Sequence, residues 1–326
     1  MLKNRKVYVK KVVETKAYLR YIGYIPLFLL LLSGCSINKF AINKLGNALA
    51  ESGTTFASDE DPDLVAQAVP FSLKLIESLL SSSPEHRGLL LAAASGFTQY
   101  SYAFVHQQAD FLEDEDFQEA TRQRTRARKL YLRARDYGIR GLETRYRDFG
   151  ARLRTDPLQA VRVITARDVP MLYWTAAAWG AAISISKEIP ELVADQLLVE
   201  ALIDRALELE EDFNYGSIHG FLISYESSRQ GASGEATERA RRHFDRVVEL
   251  TGGNAASPFV ALAEAVSVGE QNRQEFEDLL NRALQVDPDE MTEWRLENLV
   301  MQQRARWLLD RIDDLFLEPL EPLDVR

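Results

Sequence analysis

Cysteine and histidine are scarce in this sequence. Its 326 residues contain one cysteine, Cys35, and four histidines. A single thiol cannot form an internal disulfide framework, and once Cys35 is acylated no cysteine nucleophile remains. None of the histidines lies in a His-Glu-x-x-His or similar ligand spacing, so we predict no metal site; they are His86, His106, His219 and His243.

Signatures of other catalytic classes are also missing. The sequence has no Gly-x-Ser-x-Gly nucleophile elbow, no phosphate-binding loop and no dinucleotide fingerprint. Acidic residues are abundant, but a helical sequence does not show whether two of them stand at the separation of a glycosidase pair. We therefore predict a protein that is not an enzyme and that uses no cofactor.

An export signal is predicted for residues 1–34. Seven basic residues and one acidic residue accompany a short apolar run over residues 25–32, which ends in Leu-Ser-Gly-Cys at positions 32–35. This order is typical of a lipoprotein signal. The run is too short for a transmembrane helix, which needs about 20 residues. We expect cleavage before Cys35 and acylation of Cys35, so that the protein reaches the membrane through a lipid anchor only.

The sequence after position 34 is strongly acidic. Without the seven basic residues and the one acidic residue of the leader, 32 of the 39 basic and 48 of the 49 acidic residues remain. This balance argues against a nucleic-acid partner, because phosphate binding depends on clustered Lys and Arg, and against a protein that lies flat on anionic lipid. Ser36 after the cysteine resembles an outer-membrane address in Gram-negative lipoproteins, so we expect a tethered periplasmic protein.

Helical periodicity runs through nearly all of the remaining sequence, and we predict an all-α fold. Asp61 is expected to cap a helix that begins at Pro62, and a second helix is expected to start at residues 83–85. Residues 35–57 are predicted to form a tether that leads into the helical domain at 58–316, and 317–326 to form a disordered tail. One apolar stripe is predicted for the first helix, formed by Phe71, Leu75, Ile76, Leu79 and Leu80.

Internal repeats indicate the architecture. The second helix of a tetratricopeptide repeat carries a small residue, a large residue four positions later and a small residue three positions after that. Four segments fit this spacing, the one at residues 199–206 less well than the others. Because the pattern recurs, we predict a degenerate helical-repeat solenoid. They are Ala127, Tyr131 and Ala134; Val199, Ile203 and Ala206; Ala240, Phe244 and Val247; and Phe276, Leu280, Ala283 and Pro288.

Several longer segments resemble the T component, TatT, of tripartite ATP-independent periplasmic (TRAP) transporters. The most specific is Leu-Tyr-Trp-Thr-Ala-Ala-Ala-Trp-Gly-Ala-Ala at positions 172–182. The resemblance extends over roughly residues 35–316. The other segments that carry it are 58–65, 70–80, 96–104, 130–138, 240–244 and 304–309.

This resemblance implies a trimeric periplasmic lipoprotein with a tunnel through each protomer. It implies a docking partner, the substrate-binding protein of the transporter, and a role in the uptake of an organic acid or another hydrophobic ligand. Energy would come from ion gradients used by other subunits. The alternative is a structural repeat lipoprotein that serves envelope or outer-membrane assembly and has no ligand of its own.

Candidate tunnel residues are aromatic. Aromatic and small side chains share the segment around Trp174, and aromatic side chains recur after Gly96, where positions 97, 100 and 104 share a helical face that excludes Tyr102. The alternative is that these rings fill the core, as aromatic stripes at helical spacing usually do. His219 is either a ligand-carboxylate partner or a structural histidine. The tunnel candidates are Phe97, Tyr100, Phe104, Tyr173, Trp174, Trp179 and His219.

Basic residues concentrate in one predicted helix, between Arg122 and Arg135. In an acidic protein such a helix could receive an acidic partner surface, and we select Arg126 and Arg133 as partner-binding candidates. The alternative is a solvated face paired with the acids of residues 110–119.

Overall fold

A computed structural model describes residues 53–229 and 234–317, with side chains from residue 55. Cys35, the predicted signal, most of the predicted tether and residues 318–326 lie outside the described residues. The described chain is built from helices, which confirms the predicted all-α fold. They are α1 Gly53–Ala57, α2 Pro62–Ser82, α3 Arg87–Ser101, α4 Gln107–Phe111, α5 Phe117–Glu143, α6 Phe149–Thr155, α7 Pro157–Val161, α8 Val169–Ser184, α9 Pro190–Val193, α10 Gln196–Leu209, α11 Phe213–Tyr225, α12 Ala236–Thr251, α13 Ser257–Leu262, α14 Arg273–Gln285, α15 Arg295–Asp310 and α16 Ile312–Leu315.

Several helix starts follow the capping rules. The Asp61 carboxylate accepts a hydrogen bond from the Leu64 N–H at 3.0 Å, and Pro62 occupies the first helical position, as predicted. The second helix starts later than predicted, at Arg87. Its cap is His86, whose Nδ1 accepts a hydrogen bond from Leu89 N–H at 3.2 Å.

The buried face of α2 differs from the predicted stripe. Phe71 is 74% exposed, whereas Val65, Leu73, Ile76 and Leu80 are buried. Phe71 lies about 200° around the helix from Leu73, so a helix that packs on one side cannot bury both. By length and composition α2 could cross a membrane, but this buried stripe packs on the core instead.

The main core runs through α3, α5, α8 and α10, each packed on the next. The predicted repeat positions of α5 and α10 lie at the centre of these contacts: Ala127, Tyr131, Ala134, Val199, Ile203 and Ala206 are fully buried. α5 and α8 approach so closely that a Cβ on Gly138 would lie 2.1 Å from Thr175 Oγ1. Small residues therefore set the spacing of these helices, as the repeat pattern requires.

A second core packs α13, α14 and α15 together near the C-terminus. Phe276, Leu280 and Ala283 of α14 are fully buried there. In α12, Ala240 and Val247 are buried and Phe244 is half-buried. The buried pattern positions and the pairing of successive helices are compatible with a degenerate repeat.

The C-terminal helix returns to the N-terminal part of the chain. Arg304 on α15 forms an ion pair with Asp110 on α4 at 3.1 Å, and Trp307 packs on Phe111 with ring centroids 5.2 Å apart. At the start of α15, Arg295 donates a hydrogen bond to the carbonyl of Ser58 at 3.0 Å. The described helices therefore close into a ring instead of ending as an open stack.

Candidate functional site

Two residues near α15 combine an accessible side chain with weak solvation of its polar group. Glu297 on α15 is exposed to water, yet burial is the main influence on its carboxyl group and raises its pKa. Tyr102, between α3 and α4, is 36% exposed, yet burial raises the pKa of its hydroxyl to about 12. A group can be both accessible and poorly solvated when it faces a cavity enclosed by protein. We define Glu297, Tyr102 and their neighbours described below as the central passage.

Tyr173 on α8 connects the passage to α11. Burial and then the charge of Glu297 raise the pKa of the Tyr173 hydroxyl, and that hydroxyl lies within hydrogen-bonding reach of Ser217. Glu297 in turn accepts a hydrogen bond from Ser257 Oγ at 2.6 Å. Polar groups from α8, α11, α13 and α15 thus converge on one place.

A left-handed turn shapes the same region. Asn214, Tyr215 and Gly216 all have positive φ, at 46°, 56° and 88°. This backbone is costly for Asn and more so for Tyr, and such strain is concentrated at functional sites. The turn places the half-exposed Tyr215 ring on Trp294, with centroids 5.0 Å apart. The Asn214 amide donates to Ser217 Oγ at 2.7 Å and so fixes the turn.

A π-helical segment, Tyr102–His106, follows α3 and contacts α15 one turn after Glu297. Such segments often occur at functional sites, because the extra residue per turn re-aims the side chains that follow. Here Tyr102 Oη lies 3.7 Å from Met301 Sδ on α15. His106 Nδ1 lies 3.3 Å from the buried Tyr131 hydroxyl. The segment therefore links the core of α5 to the closing helix.

Phe97 and Tyr100, predicted for the tunnel, lie beneath the arginines predicted for the partner. The Arg133 guanidinium stands over the Phe97 ring at 5.4 Å, and that of Arg126 over the Tyr100 ring at 5.8 Å. Phe97 is 3% and Tyr100 9% exposed. The half-buried Phe104 packs on Tyr100 with centroids 5.8 Å apart. We call this arrangement of Arg126, Arg133 and their supporting rings the basic row.

Most arginines of α5 are paired with acids. Arg124, for example, pairs with Glu113 at 2.6 Å, and Arg128 with Glu188 at 3.2 Å. Arg133 lies 3.5 Å from Glu77. Arg126 is exposed and, among the described residues, has no carboxylate partner; it donates to Tyr100 Oη at 3.3 Å. The paired arginines fit the solvated-face interpretation, whereas the exposed charge of Arg126 has no carboxylate beside it among the described residues.

Trp174 and Trp179 have different environments. Trp174 is half-buried and packs on Tyr173 with ring centroids 4.9 Å apart. Trp179 is 2% exposed, and the guanidiniums of Arg135 and Arg154 stand 4.9 and 5.5 Å from its ring. It forms the floor of a separate groove of about 370 Å³ between α5 and α6. Trp174 is thus the tryptophan of α8 that contacts a passage residue.

His219 contacts another histidine. Its Nδ1 lies 2.8 Å from Nδ1 of His243, and its Nε2 lies 3.4 Å from Glu211. Burial lowers the pKa of His219, and burial together with the neighbouring imidazole lowers that of His243 to about 4. Since two imidazolium rings cannot share an Nδ1–Nδ1 hydrogen bond, at least one stays neutral. This geometry gives His219 a structural partner on α12.

Sequence reasoning missed several passage residues. Glu297, Ser217, Tyr215 and Trp294 were not selected. One glutamate among 49 acidic residues gives no signal, and three successive left-handed residues are not predicted by Asn-Tyr-Gly. Tyr173 and Trp174 were selected, and the structure brings Tyr173 to Glu297. Within residues 53–229 and 234–317, no group of three or more His, Cys, Asp or Glu is arranged to hold a metal ion.

Comparison with known proteins places the chain in a family. Residues 58–316 match the family described as TRAP transporter T-component. A protein of Treponema pallidum (strain Nichols), described as uncharacterized, is 29% identical over 310 residues, which cover 89% of this chain and 95% of that protein. The match spans all helices from α2 to α16. The chain belongs to the TRAP transporter T-component family and is an accessory component of this transport system, not a member of an enzyme family.

Proposed function

We propose that this protein is a lipid-anchored periplasmic component that docks the substrate-binding protein of a TRAP transporter and passes its ligand through the central passage. Family membership supports the association with the transporter. The anchor is acylated Cys35, in the outer membrane, and the working form is a homotrimer. The observation that carries the proposal is a pair of accessible groups, Glu297 and Tyr102, whose pKa values are raised by the surrounding protein.

The closed ring supports a path for a ligand. A solid helical core would leave no accessible polar group between α8, α11, α13 and α15, and a scaffold would not need one. Glu297, Tyr173 and Tyr102 supply polar tips, and Trp174, Tyr215 and Trp294 supply apolar area. This mixture is typical of ligand sites in proteins.

The basic row supports a docking surface. In an acidic chain, Arg126 and Arg133 present positive charge on rigid aromatic supports, and Arg126 lacks a carboxylate partner among the described residues. An acidic surface on the binding protein would complete these pairs, and desolvated arginine on aromatic rings is common at interface hot spots.

Sedimentation of the purified full chain with the substrate-binding protein of a TRAP transporter from the same organism tests the proposal. We expect a complex that R126E combined with R133E weakens at least tenfold, since like charges at an interface cost several kcal/mol. R242E is the matched control, because Arg242 is an exposed arginine on α12, outside the basic row. If this protein and the substrate-binding protein sediment separately, both in the presence and in the absence of ligand, docking is refuted.

A further inference from the structure

The basic row continues at Arg140, a third exposed arginine of α5. Its guanidinium stands over the Tyr137 ring at 5.3 Å, just as those of Arg126 and Arg133 stand over aromatic rings. Tyr137 also stacks on Phe97, the ring beneath Arg133, with centroids 6.0 Å apart and 13° between the planes. Three arginines of one helix are therefore each held against an aromatic ring.

These arginines are evenly spaced along α5, at positions 126, 133 and 140. Seven residues make almost two turns of an α-helix, so each position is rotated by only about 20° from the last and lies about 10.5 Å further along the axis. The helix is continuous from Phe117 to Glu143 and contains no proline. The three Cα atoms therefore lie nearly in line on one side of α5, over about 21 Å.

The charge of the row is only partly compensated within the chain. Arg126 and Arg140 have no carboxylate within ion-pair distance among the described residues, and Arg140 donates instead to the Pro84 carbonyl at 3.1 Å. Arg133 lies 3.5 Å from Glu77, but that carboxylate also pairs with a lysine of α2. Three positive charges thus face solvent with one shared acid between them.

The positions between the arginines do not reverse this charge. Lys129 and Asp136 lie on the same exposed side of α5, each between two members of the row. The lysine adds a positive charge, and the aspartate is already paired with Arg135 at 2.7 Å. This side of the helix therefore complements an acidic partner surface.

The spacing of the row decides which element of a partner can pair with all of it. An extended strand presents side chains on one face about every 6.6 Å, so its carboxylates would fall at about 6.6 or 13.2 Å and miss the next arginine. A helix returns to the same face every seven residues, after about 10.5 Å, and can meet all three arginines.

We propose that the basic row receives an α-helix of the docking partner that carries carboxylates at positions i, i+7 and i+14, with Arg140 as its third contact. This inference rests on the proposed function and specifies which element of the partner the row recognises. Because the guanidiniums are already held against rings, they lose less conformational freedom when they pair, which favours binding.

Two synthetic peptides test this proposal. Both are helices of about 20 residues, built from alanine and glutamine with three glutamates. The heptad peptide has its glutamates at i, i+7 and i+14, and the comparison peptide at i, i+5 and i+10, which places them on three different sides of the helix. Circular dichroism verifies equal helix content, and fluorescence anisotropy at low salt measures the affinity of each labelled peptide for the purified full chain.

We expect the heptad peptide to bind about tenfold more tightly than the comparison peptide. It can form three charge pairs at once where the other forms one, and each exposed pair contributes a factor of about three. R140Q should therefore weaken binding of the heptad peptide about threefold and leave that of the comparison peptide nearly unchanged.

R147Q is the matched control. Arg147 lies a further seven residues along the sequence and its side chain is 94% exposed, but α5 has ended at Glu143. This variant should bind the heptad peptide as the wild type does. Equal affinity for the two peptides, preference for the comparison peptide, unchanged affinity in R140Q, or no binding of the heptad peptide at millimolar concentration would overturn the inference.

The docking function is judged separately. If the substrate-binding protein still co-sediments when the peptides fail, docking survives and uses a different element of the partner. If the heptad peptide binds as expected while the substrate-binding protein does not co-sediment, docking alone is refuted.

Discussion

Arg304 on α15 pairs with Asp110 on α4 at 3.1 Å, across 194 positions of the sequence. The same guanidinium donates to both oxygens of Glu264, at 2.6 and 2.9 Å. Its side chain is 12% exposed, so the pairs are largely shielded from water. This arginine therefore joins the last long helix of the described chain to the N-terminal helices.

Replacement of Arg304 should weaken the contact between α15 and α4 and lower the stability of the protein. R304M removes the cation shared by Asp110 and Glu264; Asp110 keeps Arg124 at 3.3 Å, whereas Glu264 loses both of its guanidinium hydrogen bonds. Removal of one partner from a largely buried pair costs about 3 kcal/mol. The free energy of urea-induced unfolding, followed by circular dichroism, measures this loss. R273M is the control, since Arg273 forms exposed pairs with Glu277 and Asp313; an equal loss in both variants would contradict a special role for the junction.

The contact between α5 and α8 should tolerate no side chain at Gly138. G138A would bring a Cβ 2.1 Å from Thr175 Oγ1 and 3.3 Å from Thr175 Cα, so the helix backbones must separate. We expect destabilisation of about 1–3 kcal/mol, measured as a lower denaturation midpoint. G220A is the control, because nothing lies within 4 Å of its Cβ. It should be neutral or stabilise α11 by up to about 1 kcal/mol; equal losses would disprove the close approach.

Substitution of the two tryptophans of α8 should have different effects, one mainly on stability and the other mainly on ligand affinity. W179A removes a ring that is 2% exposed and should cost about 3–5 kcal/mol of unfolding free energy. W174A removes a half-buried ring beside Tyr173 and should cost less, while it lowers ligand affinity. Thermal unfolding and ligand titration of both variants check this order. Equal losses of stability would show that Trp174 is simply a core residue.

The His219–His243 pair should make stability depend on pH. An unfolded histidine titrates near 6.5, whereas burial lowers the pKa of His219 and lowers that of His243 to about 4. The unfolded chain therefore binds more protons between these values, and stability falls as pH decreases from about 6.5 to about 4. The upper limit of the contribution of His243, at about 1.36 kcal/mol per pKa unit, lies between about 3 and 4 kcal/mol. Glu211 and Glu226, beside the pair, oppose the effect without cancelling it.

Denaturation midpoints of the wild type and of H243Q between pH 7.5 and pH 4.5 test this coupling. H243Q removes a group that titrates, so its midpoint should fall less steeply over the same range. Parallel curves for the two proteins would show that other groups, and not this pair, determine the acid sensitivity.

Local signals predicted the helices better than the passage. Asp61 and Pro62 specify a helix start through short-range hydrogen bonding, and Ala127, Tyr131 and Ala134 specify a packing face through spacing. These effects act within a few residues. The contact of Arg304 with Asp110 depends on the accumulated angles of all the helices between them, which no local pattern encodes.

The candidate site was also only partly predictable, because local sequence patterns select residues without showing what they will contact. The unusual run of aromatic and small residues selected Tyr173, which lies near Glu297. Phe97 and Tyr100 satisfied the same pattern, yet they support Arg133 and Arg126. Spacing shows that two residues share a helical face, but the surface that this face meets depends on the packing of other helices.

The rate of solute uptake by the TRAP transporter in cells that lack this chain tests the central claim most directly. We predict that the initial rate falls when the chain is deleted, returns with the wild-type gene and stays low with a gene lacking the Cys35 codon, while the ion gradient remains normal. Unchanged uptake, accompanied by a defect in envelope integrity, would contradict a transport role and favour the structural scaffold.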